Sequence, residues 1–146
     1  MEGDGAFYNS CKARLQDGRF NLAAAGHVIR AILVHGYVPD IDNHAVLADV
    51  VAAEYPSGLG YVAGGLALSG QTVTQDNVNN CGTWDGNDLS WLGLGPLVPA
   101  IPSHCILYDD TDPTDSLICY FELGSRATVG TKYTLRINSA GISRLL

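Results

Sequence analysis

The sequence predicts a mainly β protein, an antiparallel β-sandwich or partly open barrel with one or two short helices. Three observations predict it. Short apolar runs rich in β-branched and aromatic residues recur between clusters of Gly, Pro, Asn, Asp and Ser, the pattern of strands joined by turns. Glycine is abundant, 17 of 146 residues, which suits many turns better than a helical bundle. One segment reads plainly as a hairpin: Cys105–Asp109 (CILYD) and Leu117–Glu122 (LICYFE) flank Asp110-Thr111-Asp112-Pro113-Thr114-Asp115, a run of turn-forming residues.

Taken in order, residues 1–9 are small and polar apart from Phe7-Tyr8. They read as an N-terminal arm that docks through those rings or stays loose, ahead of a single β-rich domain over 10–146. Ser10 is placed to cap a short helix through Gln16, with Gly18 as its left-handed stop. His27–His35 is too short for a good helix and rich in β-branched residues, hence a strand. Asp42 or Asn43 is placed to cap a helix presenting Val46, Leu47, Val50 and Val51, ended by Pro56-Ser57-Gly58. A hairpin is expected next, from Tyr61–Leu68 through a Ser69-Gly70 turn to Gln71–Gln75.

Residues 76–87 are polar and read as a long surface loop. Asp88–Leu94 resumes as a strand containing Trp91, and Pro96, Pro99 and Pro102 stiffen the connector behind it. The arms of the 105–122 hairpin are apolar on both faces, as for strands between two layers. A symmetric register about a turn centred near Pro113 sets Cys105 opposite Phe121. Lys132–Ile137 alternates Tyr, Leu and Ile with Lys, Thr and Arg, the mark of a half-buried strand. Leu145-Leu146 adds a final short strand.

The formal net charge is −7, and the eight Lys and Arg are scattered. With no basic stripe to follow a phosphate backbone, nucleic-acid binding is not expected. The start, Met1-Glu2-Gly3-Asp4, lacks the basic and apolar regions of a signal peptide, and every apolar run is broken well short of a membrane span. Cys11, Cys81, Cys105 and Cys119 form no C-x-x-C and stand beside no histidine pair, so they are expected as buried thiols rather than zinc ligands.

Catalytic chemistry finds no pattern to stand on. There is no G-x-S-x-G, and the histidines at 27, 35, 44 and 104 contain no H-x-x-x-H. Gly58-Leu59-Gly60 and Gly64-Gly65 lack the strand–loop–helix setting of a phosphate cradle and read as turn and bulge glycines. The sharpest metal candidate is the acidic turn with Asp109, Asp110, Asp112 and Asp115, but its spacing departs from a calcium loop and matches ordinary turn chemistry. Trp84, set in a polar stretch, is the aromatic expected to be exposed, available to a partner or a sugar. The residues therefore predict no enzyme, no metal and no cofactor.

Several stretches stand out in order: Phe7-Tyr8 before a short helix and Gly18-Arg19-Phe20-Asn21; Ile29–Val34 running into Pro39-Asp40-Ile41-Asp42-Asn43-His44; and Gly65–Thr74 (GLALSGQTVT). Asp88–Trp91, Ile106–Gly124 and Gly130–Leu145 follow them. Read together, these stretches resemble a family of small virion proteins of tailed bacteriophages, capsid decoration or cement proteins. The resemblance implies a protein made in the host cytoplasm and carried on the capsid exterior. There it would bind the major capsid protein, bridge subunits of the assembled head, and act as a homo-oligomer, dimer or trimer. Phe7, Tyr8 and Trp84 are the capsid-contact candidates under this reading. A head–tail or tail-tube component and a carbohydrate-binding module are the alternatives.

Overall fold

The computed structural model describes residues 2–3, 5–23 and 26–145. Strand accounts for 38% and helix for 10%, the sheets are antiparallel, and among the described residues no barrel closes. In chain order the elements are β1 (Glu2–Gly3), β2 (Ala6–Phe7), α1 (Asn9–Gln16), β3 (Ile29–Val34), two 3-10 turns (Leu47–Asp49 and Val51–Ala53), β4 (Leu66–Ala67) and β5 (Thr72–Asp76). Then come β6 (Cys81–Asp85), β7 (Leu89–Leu94), β8 (His104–Asp109), β9 (Ser116–Glu122), β10 (Thr131–Ile137) and β11 (Ser143–Leu145).

A five-stranded sheet runs in the order β2-β9-β8-β3-β4, and two three-stranded sheets run β11-β6-β5 and β1-β10-β7. Its pairings are all antiparallel except the two-residue contact of β1 with β10. The β8–β9 register sets Cys105 opposite Phe121, as the symmetric turn predicts, and slips at Leu107/Tyr108. That bulge inserts Ile118 as an extra residue on β9 and sets Ile118 and its neighbour Cys119 in the same core layer, with Leu117 in the other.

The middle strands are apolar on both faces because both faces are covered. Ile29, Leu33, Cys105, Leu107, Ile118 and Phe121 pack with Trp84, Trp91, Leu94, Tyr133 and Leu135 of the smaller sheets. On the other face, Ile32, Val34, Ile106, Tyr108 and Leu117 pack with Tyr8, Tyr37 and Val50. The four cysteines are free and buried.

Three local expectations are corrected. The helix over Val46–Val51 is replaced by the two 3-10 turns, with Val51 exposed. The Asp49 carboxylate accepts the Ala45 and Val46 amides, while Val46 bridges to Ser116, so this stretch is tied to the main sheet instead of winding on. Ser69-Gly70 does not close a hairpin: β4 pairs with β3, and β5 pairs with β6. The polar 76–87 stretch is accordingly no long loop but a four-residue turn and strand β6. Asp76 closes that turn by accepting the Val78 and Asn79 amides, and Asn80 takes a φ of 53°.

Candidate docking surface

Strand alternation sends adjacent residues to opposite faces, and that divides Phe7 from Tyr8. Phe7, half-buried on β2 opposite Cys119, sets its ring edge-on to Trp84 at 6.4 Å. Tyr8 is fully buried in the other layer, its hydroxyl 2.7 Å from that of Tyr37, which in turn meets His44 Nδ1 at 2.8 Å. Burial and the Tyr37 hydroxyl hold the Tyr8 phenol far above its ordinary pKa. Residues 1–9 are thus docked rather than loose where they are described. Glu2 and Gly3 pair with Arg136 and Ile137, and Ala6 and Phe7 pair with Tyr120 and Cys119.

Trp84 corrects the expectation of an exposed anchor. It lies on β6, is 3% exposed, and donates its indole N–H to the Leu22 carbonyl at 3.1 Å. A tryptophan in a polar stretch reads as exposed only while that stretch reads as a loop. Once β5 and β6 pair, alternation turns it inward. Of the three ring candidates, Tyr8 and Trp84 are buried and Phe7 is half-buried.

Three of the four carboxylates of the acidic turn, those of Asp109, Asp110 and Asp112, are engaged. Asp109 is fully buried; one oxygen lies 2.5 Å from His27 Nδ1, and the other accepts the Thr111 and Asp112 amides. Asp110 accepts from Arg30 Nε at 2.9 Å. Asp112 caps Thr114 and takes the Ser116 hydroxyl, which lowers its pKa. Among the described residues, no cluster of three His, Cys, Asp or Glu is arranged to hold a metal ion. These groups build the turn between β8 and β9.

The surface that stands out is aliphatic. Three segments meet at one end of the molecule: residues 58–61, 92–101 and 128–131. The Gly95 amide donates to the Leu59 carbonyl, Gly130 to Leu94, Thr128 to Ala100, and Leu97 to Thr128 Oγ1 at 2.9 Å. Gly60, at φ 84°, lies so close to Gly93 that a Cβ would sit 2.0 Å from the Gly93 carbonyl oxygen. Only glycine permits both that φ and that approach. Around this junction project Leu92, 80% exposed, Val98, 84% exposed, and the exposed Leu59, Ile101 and Val129.

A basic basin adjoins it on the outer face of β7 and β10, a shallow hollow of about 750 Å³ lined by Asp88, Ser90, Arg126, Lys132, Thr134 and Arg136. Ser90 and Thr134 join across the strands at 2.9 Å. Arg126 is held by the Lys132 and Thr134 carbonyls, with its guanidinium 4.6 Å from the centre of the Tyr133 ring. On a chain of net charge −7, three of the eight Lys and Arg line this one hollow. The sequence gives Leu92 and Val98 as scattered apolar letters; their association depends on which distant turns meet.

Compared with known proteins, the chain matches no family model, no curated protein and no solved structure.

Proposed function

We propose that this chain is a structural protein of a tailed-phage virion, a capsid decoration protein that docks on the assembled head and braces it. The observation carrying the reading is the rigid aliphatic end beside the basic basin. Exposed aliphatic side chains gathered in one region mark protein contact surfaces, and here Leu59, Leu92, Val98 and Val129 are exposed on neighbouring segments that hydrogen bonds join. The ordered resemblance of Phe7–Leu145 to decoration proteins names the partner class, the major capsid protein. The basin favours an acidic patch on that partner, since opposite charges steer and orient encounter.

The physics of bracing is simple. A ligand that binds only the assembled lattice stabilises that lattice by mass action. Many copies with modest contacts do so without any single tight site. The test is to add purified chain to DNA-filled heads lacking it and measure the temperature at which DNA is released. The expected result is a rise that saturates with added chain; no rise at saturating chain overturns the bracing role.

A further inference from the structure

Every sheet has edges, and in this fold most are short or covered. β1, β2 and β4 are two residues long and β11 is three. The far edge of β7 is approached near its end by Gly60, where Gly95 donates to Leu59. β5 differs. It is five residues long (TVTQD), pairs on one side with β6, and pairs with no other described strand. Thr72, Val73, Thr74 and Gln75 are exposed, so side chains are open on both faces of the strand. Natural edges are usually blunted by Lys, Pro or a bulge. β5 has none of these, and its register with β6 is unbroken from Thr72–Asp85 to Asp76–Cys81.

We propose that β5 is a self-association edge, pairing antiparallel with β5 of a second copy to make one continuous six-stranded sheet. The sequence of the edge favours this occupant. A two-fold axis between antiparallel strands must set one residue opposite itself, and the centre of β5 is Thr74. That register sets Thr74 against Thr74, Val73 against Gln75 and Thr72 against Asp76. No like charges meet, although the chain is strongly acidic. The one charge on the strand, Asp76, sits at its end and is already engaged with Val78 and Asn79. Thr–Thr pairs and β-branched contacts of this kind stabilise cross-strand pairing.

The inference does not rest on the proposed function, because it is measured with no shell present. Sedimentation of the full chain should show a dimer that dissociates on dilution. Thr74→Lys and Thr74→Glu each set like charges across the axis and should weaken dimerisation by about tenfold or more. An equimolar mixture of the two should restore a heterodimer. Thr74 is exposed, so each variant should melt at the wild-type temperature when compared as a monomer. A wild-type chain that stays monomeric at every concentration overturns the proposal. So does dimerisation that both variants retain, or a mixture no tighter than its components. A monomeric chain whose binding to heads is abolished by Thr74→Lys would assign the edge to a shell strand instead, and the self-pairing idea falls.

Discussion

Tyr8 shows how much one side chain near the N-terminus contributes. Its ring is fully buried against Tyr120, 5.6 Å away edge-on, and its hydroxyl starts a chain through Tyr37 to His44. Tyr8→Ala should cost about 3–5 kcal/mol, the range for truncating a buried aromatic. Tyr8→Phe, which keeps the ring, should cost about 1 kcal/mol, since Tyr37 retains His44 as a partner. Chemical denaturation measures both. Equal, small losses would mean that the ring is not part of the core. The charged residues act locally as well. Asp40 and Asp76 are held below the usual 3.8 chiefly by the side chains of Asn43 and Asn79, Asp49 by the Ala45 amide, and Asp112 by the Ser116 hydroxyl. A depressed carboxyl stabilises the fold fully above its unfolded value and loses that effect as pH falls through its folded value. His104, lowered from 6.5 by burial, starts the loss earlier. Asp115, raised by burial, opposes it alone. The melting temperature should therefore decline gently below pH ~6.5 and steeply below pH ~4. Asp40→Asn and Asp76→Asn should flatten the steep part, and a melting temperature that rises on acidification would contradict the assignment.

Among the elements, the β8–β9 hairpin is where sequence and structure agree best. Its arms were legible because each is largely apolar, and the symmetric register holds from His104 to Leu107, while the bulge that shifts the pairing beside the turn was not legible. Leu107 and Ile118 are fully buried, so Leu107→Ala and Ile118→Ala should each cost about 2–4 kcal/mol. Losses under ~1 kcal/mol for both would place the hairpin at an exposed edge. The β5–β6 hairpin was not legible. Its turn, Asn77-Val78-Asn79-Asn80, lies among enough polar residues to resemble a loop, while Ser69-Gly70 offers a more familiar turn pair. Gly65 explains where β4 goes instead. At φ 79° its backbone lies against Ala31, where a Cβ would fall 1.8 Å from the carbonyl oxygen, and this close approach brings Leu66 and Ala67 onto β3. Such an approach between residues far apart in sequence is invisible to local pattern. The Val46–Val51 helix failed for a related reason: the Asp49 carboxylate takes the Ala45 and Val46 amides and the Asp115 carbonyl takes the Leu47 amide, which ties the segment to β9 and leaves Val51 exposed.

At the scale of the whole molecule, the fold class could be read from turn spacing and alternation, and the docking surface could not. The segments that carry Leu59, Leu92, Val98 and Val129 are neighbours only because distant stretches bond to one another at Gly95, Leu97 and Gly130. The aromatic candidates Tyr8 and Trp84 went the other way, into the core, since pairing of their strands was not visible locally. What remains exposed is an aliphatic end, a basic hollow and a bare β5 edge on an acidic body. The measurement that bears most directly on the proposed role is binding of the purified chain to assembled heads lacking it, by co-sedimentation. Leu92→Asp and Val129→Asp serve as surface variants, and each should melt at the wild-type temperature because both side chains are exposed. The account predicts saturable wild-type binding at a fixed ratio to capsid subunits, and a loss of affinity of about tenfold or more in each variant, as for central contact residues. Heads that take up no wild-type chain, or that bind both variants as tightly as the wild type, would contradict it.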